Sequence, residues 1–159
     1  MKKKKFLILF VTVSLAVVFS AAITKKSPEN PPRRLEILFL GHKNNRAHNS
    51  ERLADIMTKE YFKSGINISF TTEPGDLNEK NLAHYDGLIV YANHDTISTS
   101  QEKALLSFVR SGKGFIPLHS ASFCFRNSAE VVEMIGRQFK SHKYDSFPAV
   151  ITKPEHPVM

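Results

Sequence analysis

Four of the seven histidines, His42, His48, His94 and His119, stand just past short apolar runs. Those runs are Leu35 to Leu40, Asp86 to Ala92 and Phe115 to Leu118. An imidazole can take or give a proton near neutral pH, and it can also ligate a metal. Polar neighbours accompany each one. Asn45 shares the loop of His42 and His48, Asn93 and Asp95 flank His94, and Ser120 follows His119. His119, at the end of an apolar strand, is the expected central acid–base group, with His94 and Asp95 in support. His42, Asn45, His48, Asn93 and Ser120 are the expected ligand-binding set. The plainer alternative for His119 is a core histidine satisfied by a backbone carbonyl, and for His42 and His48 ordinary loop exposure.

Other chemistries are poorly served by the spacing. No histidine pair has the separation of a zinc-binding helix and there is no CxxC, so no metal set is read and no cofactor is named. A serine nucleophile on a strand-to-helix turn needs GxSxG, which is absent. Cys124 is the only cysteine. It can form no internal disulfide, and a lone thiol is more often a small buried hydrophobe than a nucleophile.

These residues need elements to hold them. The apolar runs are continuous instead of alternating, as in strands buried on both faces. Between them lie helical patterns. Asn49 or Ser50 can cap a helix carrying Leu53, Ile56, Met57 and Phe62. Asp76 with Glu79, and Thr99 with Glu102, have the spacing of capping boxes. Gly65 and Gly112 are expected stops, Ile66 to Thr72 a second strand, and Ser128 to Gly136 a last helix. Phe147 to Thr152 is strand-like. Strand and helix alternate, which predicts an α/β fold with a mostly parallel sheet covered on both faces. Ligands of such sheets gather beyond the carboxyl ends of the strands, where the four histidines fall. Pro117 cannot donate to a ladder and implies a kink or an edge position.

At 159 residues the chain has room for one such domain. Residues 1–23 are expected to lie outside it. Lys2 to Lys5 precede an apolar run from Phe6 to Ile23 that contains Ser20-Ala21-Ala22, the layout of a secretory signal. An uncleaved membrane anchor is the alternative. Residues 24–34, TKKSPENPPRR, have the composition of a linker, leaving 35–159 as the domain. The net charge of +7 shrinks to +3 without Lys2 to Lys5, and the other basic residues are scattered, which argues against a nucleic-acid partner. The expected location is therefore periplasmic or extracellular, with membrane contact only through residues 6–23 if these are retained. Self-association stays open.

The stretches "DGLIVYANHD", "GKGFIPLHSAS" and "KPEHPVM" carry a family resemblance. From about residue 34 onward the chain resembles the ThuA-like (trehalose-utilisation) domain. The resemblance implies the flavodoxin-like three-layer architecture of the class I glutamine amidotransferases. It sets His119 at the position of their elbow cysteine, so glutaminase activity is not expected. It further implies a carbohydrate ligand, trehalose-like or a keto-glycoside, which the domain modifies or only binds. ThuA-like domains usually continue past HPVM, so the sheet is expected to be incomplete at its C-terminal side, and an inactive remnant is a further alternative. Few aromatic residues stand at the expected strand ends, since no tyrosine directly follows one and there is no Trp, which counts against a purely lectin-like module.

Overall fold

Strand β1, Leu35–Leu40, forms from the six-residue apolar run that the sequence marks, and its last three residues are buried. It lies inside a four-stranded parallel sheet of order β2-β1-β3-β4, with β2 at Ile66–Thr71, β3 at Gly87–Val90 and β4 at Gly114–Pro117. This is the flavodoxin-like order, in which the chain moves outward to β2 and then returns across β1 to build the other half. The computed structural model describes residues 32–43, 48–141, 143, 145–146 and 148–157. The expected signal at 1–23 lies outside them. No helix among the described residues is long and apolar enough to cross a membrane.

Side-chain alternation along β1 and β3 splits the core in two. Leu38, Leu40, Leu88 and Val90 point to the face covered by α2 (Glu79–Leu82), α3 (Thr99–Arg110) and α4 (Ala129–Ile135). Phe39 and Ile89 point to the other face, against α1 (Ser50–Phe62) through Ala54, Leu53 and Met57. Helices on both faces of a parallel sheet make three layers, as the continuous apolar runs require.

Each helix start has a visible cause. The Asn49 side chain accepts from Arg52 N and begins α1. Ser128 does the same for Val131 N at α4, which Gly136 ends in the left-handed conformation at φ 93°. Two caps differ from the sequence expectation. Asp76 does not cap α2; Asn78 does, accepting from Asn81 N at 2.9 Å, while the Asp76 carboxylate takes the Thr71 hydroxyl. The capping box of α3 is Ser98 with Gln101, one residue before Thr99 and Glu102. The side chain of Asn127 holds both the N–H and the carbonyl of Ile97, at 2.9 and 2.8 Å, and so fixes where the chain enters the helix. Glu102 is taken by the Ser128 hydroxyl instead.

Pro117 sits on the edge strand. Gly114 and Leu118 donate to β3, at Asp86 O and Val90 O, so by alternation the missing N–H of Pro117 faces away from the sheet and costs no ladder bond. The strand expected at Phe147 to Thr152 is not found: the described residues of that stretch are irregular, with Val150 76 % and Ile151 58 % exposed. Apolar β-prone residues make a strand only where a neighbour satisfies their backbone, and none among the described residues pairs with them. The sheet is tied at its amino end to the residues read as linker. Arg33 donates to Asp86 at 2.6 Å, and Arg34 donates to the Asn67 side chain at 2.8 Å and to Phe62 O at 2.7 Å.

Candidate functional site

At the carboxyl ends of β1, β3 and β4 the chain turns three times, and each turn is held by short bonds. After β1, Ser50 acts as a clasp. Its hydroxyl accepts from His42 N at 2.9 Å, and its own N–H donates to His48 O at 2.8 Å. Gly41 is required here, because a Cβ would stand 2.4 Å from the Phe70 ring and 2.5 Å from Ser50 Oγ. After β3, the segment through His94 and Asp95 is bridged to the next turn by Phe125 N to His94 O at 2.7 Å and Arg126 N to Asp95 O at 2.9 Å. After β4, Leu118 leads into a 3₁₀ turn, His119–Phe123, whose first residue has φ 42°. Positive φ in a residue with a side chain is a strained conformation of the kind that clusters at functional sites. It lifts the His119 ring clear of the strand and leaves it exposed.

The histidines meet in two pairs. His48 and His119 face edge to face at 4.7 Å between ring centres, with Tyr91 beside both. The Tyr91 hydroxyl lies 3.5 Å from His48 Nδ1. His42 and His94 form the other pair, 5.1 Å apart and nearly perpendicular. The His94 Nε2–H donates to Gly41 O at 3.0 Å, and its ring stacks on Phe125. Burial lowers the pKa of both His48 and His94, helped in His48 by the charge of His119 and in His94 by that of His42. Both are therefore biased toward neutral imidazole.

A cavity of about 220 Å³ opens beside the first pair, lined by His48, Asn93, His119, Ser120, Ser122, Phe123 and Phe139. Two of its polar groups are orphaned. Ser120 Oγ and Asn93 Oδ1 are buried with no hydrogen-bond partner, as is His42 Nδ1 outside the cavity. Ser120 as a whole is only 7 % exposed. The expected ligand set thus divides. His48, Asn93, His119 and Ser120 come together; His42 and His94 stand as a separate pair; and Asn45 lies outside the described residues. Asp95 is turned away, its carboxylate held by Arg126 through Nε at 2.6 Å and through Nη2. Among the described residues no group of three or more His, Cys, Asp or Glu side chains is placed to hold a metal.

Sequence reasoning passed over the aromatic walls. Tyr91 directly follows β3, because the strand ends at Val90 and not at Ala92. Phe139 arrives from beyond α4 through its N–H bond to Ser122 O at 2.9 Å, a contact no local pattern announces. Cys124 is fully interior. Its thiol donates to Ala92 O at 2.9 Å, and burial pushes its pKa up to about 12.

The fold and these three turns define an α/β domain with a histidine-lined pocket at the carboxyl edge of its sheet. A family model described as ThuA, trehalose utilisation, matches residues 36–159. The chain belongs to that family. Two solved structures resemble it. One, titled a putative ThuA-like protein from Bacteroides uniformis ATCC 8492, has 18 % identity and a TM-score of 0.50, over 63 % of this chain and 42 % of that one. The other, titled a putative ThuA-like protein from Parabacteroides merdae ATCC 43184, has 17 % identity and a TM-score of 0.48, over 62 % of this chain and 37 % of that one. The chain therefore spans less than half the length of either relative, and the likeness to the first is one of fold alone. No curated protein matches the chain.

Proposed function

We propose that this ThuA-family domain is exported and binds a carbohydrate in the cavity beside His48 and His119, with His119 as its acid–base group. The observation that carries the reading is the pairing of orphaned oxygens with aromatic walls. A buried oxygen without a partner costs about 1–3 kcal/mol, which a ligand recovers by supplying the missing bond. Asn93 Oδ1 accepts only, so it calls for a ligand O–H or N–H; Ser120 Oγ can donate or accept. Phe123 and Phe139 offer apolar faces across the same space. A sugar ring presents both surfaces at once, a hydroxyl rim and a C–H face. Trehalose, named by the family description, is the first ligand to test. Glutamine hydrolysis is disfavoured, because the one thiol is buried and held protonated while an imidazole stands at the strand-end turn.

The test is calorimetric titration of the purified full chain with trehalose and simple glycosides, alongside Ser120→Ala, Asn93→Ala and His119→Ala. Ser120→Ala and Asn93→Ala are each expected to weaken binding about tenfold, equivalent to about 1.4 kcal/mol. His119→Ala is expected to abolish any turnover with the fold intact. Sugar binding unchanged in both cavity variants would reject the cavity as the site. A second reading, a binding module without catalysis, draws on Asp95 being tied to Arg126, which leaves no carboxylate among the described cavity residues. Saturable binding with no product formed would select it.

A further inference from the structure

Asp95, expected from the sequence beside the acid–base group, is turned away from the cavity, and what it holds there is Arg126. Both Nε and Nη2 of Arg126 reach Asp95 Oδ1, and Arg126 N donates to Asp95 O at 2.9 Å. Two N–H groups on one edge of a guanidinium fix its plane as well as its charge. The guanidinium carbon stands over the Phe123 ring, 4.2 Å from its centre. Phe123 lines the cavity and Arg126 does not, so the cation supports the ring from outside the ligand space. The ion pair is open to water, with the Arg126 side chain 40 % and that of Asp95 60 % exposed. Such a pair adds little to stability. Its effect falls on the ring. Phe123 is half-buried at the end of the 3₁₀ turn, where an unsupported side chain keeps rotamers that a ligand must freeze. A ring held beforehand spares the ligand that cost.

We propose that Arg126, steadied by Asp95, is a positioning residue that holds Phe123 as a standing apolar wall of the cavity, matched to the C–H face of a sugar ring. The wall continues in Phe139, whose ring centre is 6.3 Å from that of Phe123 at a tilt of 59°. The two rings make an angled apolar corner, and the orphaned oxygens of Asn93 and Ser120 supply polar contacts to the same space. A pyranose with hydroxyls around its rim meets both surfaces. An acyclic polyol, with no fixed C–H face, meets only the second. The match to a sugar rests on the carbohydrate reading above; the support of Phe123 by Arg126 does not.

The test is a double-mutant cycle on the full chain, with trehalose as the probe and calorimetry as the readout. Phe123→Ala is expected to weaken trehalose binding about tenfold, and Arg126→Ala about threefold. Added to Phe123→Ala, Arg126→Ala is expected to change nothing more, because its effect passes through the ring. An equal loss in both backgrounds overturns the proposal. The ring itself is read by the NMR cross-peak between the Phe123 and Phe139 ring protons in chain labelled with carbon-13 phenylalanine, with Phe123→Leu to assign it. Arg126→Ala is expected to weaken that cross-peak while the amide signals of the sheet stay in place. Asp95→Asn, which keeps the arginine and alters only an exposed carboxylate, is expected to weaken it less. A cross-peak indifferent to both variants overturns the proposal whether or not a sugar binds. With no binding of trehalose or simple glycosides to the wild type, the carbohydrate reading fails, and the cross-peak alone judges Arg126.

Discussion

His119 pays for its position in backbone strain. At φ 42° a residue with a Cβ is held in the left-handed region, at a cost of about 1–2 kcal/mol. Its side chain is exposed, so little packing is lost when it is replaced. His119→Gly is therefore expected to leave stability unchanged or raise it by up to about 1 kcal/mol, the relief being partly offset by glycine's greater freedom when unfolded. His119→Val is expected to lose about 1–3 kcal/mol, since a branched Cβ fits that region worst. Denaturant midpoints of the two variants check the ordering. A gain from glycine at a position that also abolishes function would mark the strain as serving the site. The residue was legible in the sequence because an apolar run stops at it; the strain was not, for nothing in the letters distinguishes a left-handed histidine from an extended one. Tyr91 was hidden differently: read as the next β-prone residue of a longer strand, it is the first residue past the end of a shorter one.

At the scale of elements, β1, α1, β2 and β3 follow from their apolar patterns, with ends close to those expected. The differences come from tertiary partners. Ser98 with Gln101 and Thr99 with Glu102 are equivalent in local chemistry, and Asn127, nearly thirty residues on, decides between them. The stretch from Phe147 to Thr152 has strand composition, but composition supplies no neighbour to bond. The Ser128 hydroxyl links two helices, capping α4 through Val131 N at 3.1 Å while donating to Glu102 of α3. Its residue is 2 % exposed. Ser128→Ala is expected to lose about 1–2 kcal/mol, the upper part of the range for a cap, because a half-buried contact to the Glu102 carboxylate goes with it. Thermal or denaturant unfolding reads the loss, and Ser128→Asp, which keeps an acceptor for Val131 N but faces Glu102, is expected to recover none of it.

Over the whole molecule, acid acts in two stages. His48 and His94 have folded pKa values below the ordinary 6.5, so between that value and the lowered ones the unfolded chain binds more protons. Their contribution is fully present above about pH 6.5 and is lost as pH falls through the folded values. Asp86 behaves alike in a lower window. The Arg33 guanidinium, the Glu36 N–H and Lys113 hold its carboxyl well below the ordinary 3.8. Its contribution survives the first stage and goes only as pH falls through that depressed value. Denaturant midpoints are thus expected to drop as pH falls below about 6.5, and to drop again in the carboxylate range. Asp86→Asn is expected to weaken the second drop and leave the first.

The clasp at Ser50 has a consequence for how the two histidine pairs are joined. One serine, 1 % exposed, grips the chain at His42 and again at His48, so the backbone at both histidines is tied to the start of α1. A single change at that serine therefore reaches both histidine pairs at once, since His42 belongs to one and His48 to the other.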